Sequence, residues 1–122
     1  KVAGRTRMAE IYKLPQGRIV VGFSDVNLSI GLLELHTGKE LPKHNRPVKE
    51  ELTQIVGSST IKIFNNHNIH EIALMEGDTL EIQPNKFHIH SNPHSETSIT
   101  LWRFCGDITH VIDHIRNSYV RV

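Results

Sequence analysis

The sequence predicts an all-β domain, an antiparallel sandwich or small barrel of short strands followed by one short C-terminal α-helix. Three observations carry this. Between Arg18 and Trp102, segments rich in Ile, Val, Leu, Thr and Phe recur about every ten residues. Gly, Pro, Asn and Asp separate them, the residues that turns require. After Cys105-Gly106 the apolar period changes from that of a strand to that of a helix.

Taken in order, residues 1–16 hold four basic side chains without a clear period and end at Leu14-Pro15-Gln16-Gly17, so they are expected to form an irregular N-terminal arm. Residues 17–106 are assigned to the β domain. Its strands are expected at Arg18–Ser24, Leu28–His36, Glu51–Val56, Thr60–Phe64, Ile69–Met75, Thr79–Gln83, Phe87–Ser91 and Ser98–Phe104. Turn signals at Ser24-Asp25, Asn65-Asn66-His67-Asn68, Glu76-Gly77-Asp78 and Ser91-Asn92-Pro93 lie between them. Alternation supports half-buried strands: Ile61 and Ile63 face one way and Thr60, Lys62 and Phe64 the other, as do Leu80 and Ile82 against Thr79, Glu81 and Gln83. In residues 107–122, Ile108, Val111, Ile112 and Ile115 share one helical face, which packs the helix on the β domain, with Asp107 as the expected N-cap. His110 and His114 fall on the other sides and are expected in solvent.

Composition narrows the function. At 122 residues the chain suffices for one domain. It has no apolar run approaching the roughly eighteen residues of a membrane span and no pattern of a secretory leader, so neither is expected. A net charge of +1 from scattered Lys and Arg residues gives no footprint for nucleic acid. A single cysteine, Cys105, fits a reducing, cytoplasmic setting and is expected to be a small buried side chain. Nine histidines against seven Phe, Trp and Tyr residues direct attention to metal or proton chemistry. Of these, His36, His67 and His70 stand at a strand end or around a polar turn, where surface positions are expected.

Two stretches concentrate polar chemistry. Gly38, His44, Arg46, Glu50 and Gly57 mark the first, and Gly77, Gln83, Asn85, His88, His90 and Asn92 the second. Residues two apart on a strand share a face, so His88, His90 and Asn92 would point together, as would His44, Arg46 and Glu50 if extended. An inward polar face of this kind must satisfy itself, a metal or a ligand, because each unpaired buried polar group costs about 1–3 kcal/mol. Asn85 suits a turn that needs positive φ.

These stretches resemble the two motifs of the cupin superfamily: seven of the ten motif positions match at the right spacing, over about Leu28 to Phe104. Arg46 stands where the second His of the first motif belongs, Gln83 where the second motif has Pro, and Asn85 where it has Gly. The resemblance implies a jelly-roll barrel whose interior holds a divalent ion. Carried over residue by residue, it gives His44, Glu50 and His88 as metal ligands, for Fe, Mn, Ni or Zn, with His90 able to supply a fourth. Arg46, His90, Asn92 and Trp102 are the candidates for binding a small polar molecule, and a homodimer is expected, with the arm free to join a neighbour's sheet edge.

Arg46 leaves two readings open. A guanidinium about 6 Å from a dication is repelled by on the order of 5 kcal/mol at an effective dielectric near 20. Either Arg46 pairs with Glu50 or Glu51 and replaces the ion, the reading favoured here, or it turns away and clamps an anionic substrate. Glu50 shares the face of His44; Glu51 does so only if the chain bulges or bends near Pro47. The site is therefore either a metal centre acting on a small polar molecule or a metal-free pocket for an anion or sugar. In a third reading it is an internal salt-bridge network, which seldom gives a net gain in stability. No residue selects a reaction.

Overall fold

Alternating burial along the strands divides the chain into an inner and an outer surface. In the computed structural model, which describes residues 8–122, the elements are β1 (Glu10–Leu14), β2 (Gly17–Ser24), β3 (Ser29–Leu35), β4 (Glu50–Val56), β5 (Ser59–Asn65), β6 (Asn68–Leu74), β7 (Thr79–Ile82), β8 (His88–Ser91), β9 (Ser98–Phe104) and α1 (Thr109–Ser118). The pairing is antiparallel throughout, in a six-stranded sheet β1-β2-β3-β9-β4-β7 and a three-stranded sheet β6-β5-β8. Buried residues of both sheets, Leu33, Leu52 and Phe104 from one and Ile61 and Leu74 from the other, join Ile108, Ile112 and Ile115 around α1 in one core.

The architecture is an antiparallel jelly roll with one short C-terminal helix, and its sheets are not closed into a barrel. Among the described residues, β8 pairs on the side away from β5 with the chain between β3 and β4, through isolated bridges Glu40↔Ser91 and His44↔His88. That irregular stretch takes the place of a closing strand.

The eight expected strands all form, with ends displaced by a residue at most. The irregular arm expected over residues 1–16 does not hold where it is described: Glu10–Leu14 is a strand, while residues 1–7 lie outside the described residues. Periodicity could not find it, because its order comes from partners distant in sequence. β1 pairs with β2 on one side, and on the other Lys13 N donates to Val120 O and Val122 N to Ile11 O. The chain's own C-terminal segment thus covers that edge.

Helix α1 buries Ile112 and Ile115, with Ile108 buried at its cap and Val111 partly so, as the period predicts, and His110 and His114 are exposed. Ile108 occupies the N-cap position, one residue after the expected Asp107, whose Oδ1 accepts hydrogen bonds from Thr109 N at 2.9 Å and Thr109 Oγ1 at 2.7 Å. Arg116 then ties the helix to β1, donating from Nε to Glu10 Oε1 and from Nη2 to Glu10 Oε2, both at 2.9 Å. The Arg116 hydrogen bonds, helped by the Tyr12 hydroxyl, pull the Glu10 carboxyl down to about 2 against the opposing effect of burial.

A depressed carboxylate stabilises the fold above its unfolded pKa, near 4.5, and that stabilisation is lost as pH falls through about 2. Arg116 is more than a third exposed, so solvent screening limits the pair to about 1 kcal/mol. Glu10→Gln is expected to lower stability by that amount at pH 7 in urea denaturation, and the difference from wild type should vanish toward pH 2. An undiminished difference at pH 2 would refute the electrostatic account.

Candidate metal centre

Three elements converge on one point inside the jelly roll. On β8, His88 and His90 lie two residues apart and therefore on one face, and both are buried. Glu50 opens β4 between β9 and β7, registered with Phe104 and Ile82, and alternation turns Glu50, Leu52 and Gln54 inward. His44 comes from the irregular chain between β3 and β4 and is held opposite His88 by two backbone hydrogen bonds, His44 N to His88 O at 3.0 Å and His88 N to His44 O at 2.8 Å. The turn before β8 leans on the same chain, with Asn85 N donating to Arg46 O at 2.6 Å; Asn85 has φ 65°, the left-handed conformation expected of it.

One ligand atom from each of His44, Glu50, His88 and His90 lies within 4.8 Å of the others. His88 Nε2 is 3.1 Å from Glu50 Oε1, and His90 Nε2 is 3.7 Å from Glu50 Oε2. Two of the three imidazoles are oriented from behind: His44 Nδ1 lies 2.9 Å from the Pro42 carbonyl and His88 Nδ1 2.8 Å from that of Lys86. A carbonyl only accepts, so each Nδ1 carries a proton and, in the neutral ring, Nε2 presents a lone pair. Backbone support of this kind is what a metal-ligating histidine needs. Burial first, then the neighbouring His90, Arg46 and His88, push His44 down to about 3, so its ring is neutral at pH 7. Burial alone would raise the Glu50 carboxyl, but His90 and His88 beside it outweigh that and hold it well below the usual carboxylate range.

The cluster is not self-sufficient. Glu50 Oε1 and His88 Nε2 are buried without a hydrogen-bond partner, although they are near neighbours. Each such orphan costs about 1–3 kcal/mol, and a cation between them would satisfy both. Three imidazoles and one carboxylate are a donor set suited to Mn, Fe, Ni or Zn. The residues present therefore fit a divalent transition-metal ion.

The sequence expectations fare differently from one residue to another. His44, Glu50 and His88 are brought together as the resemblance implied. His90, assigned first to a small molecule and second to the ion, lies in the ligand cluster. Glu51 faces outward and accepts from Arg103 Nη1 at 2.8 Å, which leaves Glu50 as the carboxylate of the site.

Arg46 does not pair with either glutamate. Among the described residues its side chain makes one hydrogen bond, from Nη1 to Asn45 O at 3.1 Å, so the expected replacement of the ion by a salt bridge is corrected. Burial weakens its hold on the proton and Glu50 strengthens it; a guanidinium remains charged in either case.

Asn92 is also corrected. Its Nδ2 donates to Leu35 O and Glu96 O and its Oδ1 accepts from His94 N, so its amide holds the loop after β8 and both of its N–H donors are used. Cys105 is exposed, not buried as expected, because it follows the last inward residue, Phe104. His36, His67 and His70 lie at the surface as expected.

Trp102 is both core and wall. It packs across from Gly31, where a Cβ would stand 2.3 Å from the indole, so only glycine leaves room for the ring. With Phe104 and the inward face of α1 it lines a cavity of about 60 Å³ onto which His44, Arg46, Glu50 and His90 open. A second cavity of about 510 Å³, bounded by His44, Arg46, His110, His114 and Tyr119, adjoins it on the solvent side. Sequence reading missed the role of α1 in both. Its apolar face was legible, but the surface that it would cover was not.

No known sequence family and no curated protein matches the chain by sequence. Its likeness to solved structures is clear. Lactobacillus farciminis oxalate decarboxylase, solved as a formate complex, superposes with a TM-score of 0.73 at 19% identity over 93% of this chain and 33% of that one. A cupin superfamily protein from Desulfitobacterium hafniense gives 0.64 at 15% identity over 73% of this chain and 76% of its own. An oxalate oxidase gives 0.61 at 16% identity over 66% of this chain and 42% of the enzyme, so this chain spans less than half the length of the oxidase.

Proposed function

We propose that this chain, which has the cupin fold, binds a divalent transition-metal ion through His44, Glu50, His88 and His90 and acts there on a small polar molecule. The observation that carries the proposal is the pair of orphaned, buried ligand atoms, Glu50 Oε1 and His88 Nε2, facing each other at 3.1 Å in a cluster where backbone carbonyls orient the His44 and His88 rings. A bound ion supplies Lewis-acid polarisation to an oxygen placed beside it.

The protein's own part is separable. Glu50 contributes the one anionic side chain among the four ligands, and its burial keeps competing water away. The Pro42 and Lys86 carbonyls hold the proton on Nδ1 of His44 and His88. Arg46, charged and half-buried where the two cavities meet, is placed to orient an anionic group entering from solvent. Two of the structural neighbours, the decarboxylase and the oxidase, are named for oxalate, and a carboxylate substrate is compatible with Arg46.

Elemental analysis tests the proposal. Protein purified without an affinity metal or chelator, or reloaded with Mn, Fe, Ni or Zn, is expected to hold about one ion per chain, and His88→Ala to lose it. Wild type that stays empty and refuses added metal, or a His88→Ala variant as fully loaded as wild type, would overturn it.

A further inference from the structure

The inner cavity is sharply divided. Ten of its fifteen lining residues are apolar, with Trp102 and Phe104 on one side and Ile108, Ile112 and Ile115 of α1 on another. The polar ones are His44, Arg46, Glu50, His90 and Thr100, and the Thr100 hydroxyl is already donated to Gln54 Oε1. Away from the metal ligands and Arg46, this wall carries no charged side chain, and the indole N–H of Trp102 and the Thr100 hydroxyl oxygen are the polar atoms it offers a ligand. Arg46 is the opposite case. Its guanidinium has five N–H donors, and among the described residues it makes one hydrogen bond and no ion pair. Glu50, the only carboxylate lining the cavity, would be engaged by the ion, which leaves the Arg46 charge without a counter-ion.

We infer that the ligand of this site is a compact amphipathic monocarboxylate, its carboxylate paired with Arg46 beside the metal ligands and its apolar body seated against Trp102 and the inward face of α1. The inference rests on the metal-centred reading only for the ion next to the carboxylate. Size follows from the cavity: at about 10–15 Å³ per water-sized group, 60 Å³ admits a body of roughly four to six heavy atoms. A second carboxylate at the far end of such a body would be buried among apolar side chains, an unfavourable transfer. This excludes dicarboxylates of that length as good ligands.

The chain's single tryptophan, Trp102, lines the cavity and gives a direct readout. Protein whose metal content has been measured is titrated with butanoate, butan-1-ol and succinate while Trp102 emission is followed. Butanoate is expected to shift the emission and to bind at least about tenfold more tightly than either control, the alcohol lacking the charge and succinate adding one at the apolar end. Arg46→Gln, which removes the charge and keeps a shorter polar side chain, is expected to weaken butanoate at least about tenfold and to leave butan-1-ol unchanged.

Succinate or butan-1-ol binding as well as butanoate, or an Arg46→Gln variant that binds butanoate like wild type, would overturn the inference. Metal-loaded protein that ignores butanoate would do the same while leaving the metal reading intact. Metal-refusing protein that still binds butanoate through Arg46 would support the inference and overturn the metal reading.

Discussion

Saturation with a divalent transition metal is expected to raise the midpoint of thermal unfolding by roughly 10 °C, and Glu50→Gln to abolish the rise. A ligand that binds only the folded state at a hundred times its dissociation constant stabilises by about 2.7 kcal/mol. With an unfolding entropy of about 2.1 cal/mol/K per residue over 122 residues, that free energy corresponds to about 10 °C. Unfolding separates His44, Glu50, His88 and His90, which come from three places in the chain, so the unfolded state has no comparable site. Glu50→Gln keeps the shape of the side chain but removes the one negative charge among the ligands and a strong oxygen donor. Differential scanning calorimetry with and without metal decides it. A shift of equal size in Glu50→Gln would place the bound ion elsewhere, and no shift in wild type would remove the metal centre.

Gln54→Leu is expected to cost about 4 kcal/mol without touching the ligand cluster. Gln54 is fully buried and its amide is completely used: Nε2 donates to Val56 O and Ser98 Oγ, both at 2.9 Å, while Oε1 accepts from Ser59 Oγ at 2.7 Å and Thr100 Oγ1 at 2.8 Å. These four bonds join β4 and β9 of the larger sheet to the start of β5 in the smaller one, at the point where the register of β4 against β9 shifts between Gln54 and Val56. Leucine nearly fills the volume but leaves several buried hydroxyls and a carbonyl without partners, at about 1–3 kcal/mol for each that finds no other. Urea denaturation should show a lower midpoint at an unchanged slope, with metal stoichiometry retained. A loss below about 1 kcal/mol would mean that the network is not the joint between the sheets.

The strands and the helix were legible because each carries its own period, Ile61 with Ile63 and Leu80 with Ile82 at two, and Ile108 with Val111, Ile112 and Ile115 at three and four. His44, Glu50 and His88 were legible through the spacing of two motifs. The pairing of Arg46 with Glu50 or Glu51 and the reading of Asn92 as a ligand-binding side chain failed for a common reason. The motif positions of Arg46 and Asn92 fixed where their backbones lie, but not which neighbours their long polar side chains would meet. The Glu51 carboxylate went to Arg103, from a strand that follows about fifty residues later, and the Asn92 amide to backbone groups of Leu35 and Glu96.

The sequence by itself determined the order of the strands along the chain and the apolar face of the C-terminal helix, while the jelly roll and the set His44, Glu50 and His88 came from the resemblance that its two motifs carry. The strands and the helix face depend on local periodicity and on turn chemistry, which act over a few residues. Only the tertiary structure decided that β1 is a strand, that His90 joins the ligands, that Glu50 and not Glu51 turns inward, and that α1 walls the cavity that Arg46 opens onto. Each of these depends on a partner far away along the chain, and the free energy that selects among such partners comes from burial and hydrogen-bond satisfaction in the assembled core.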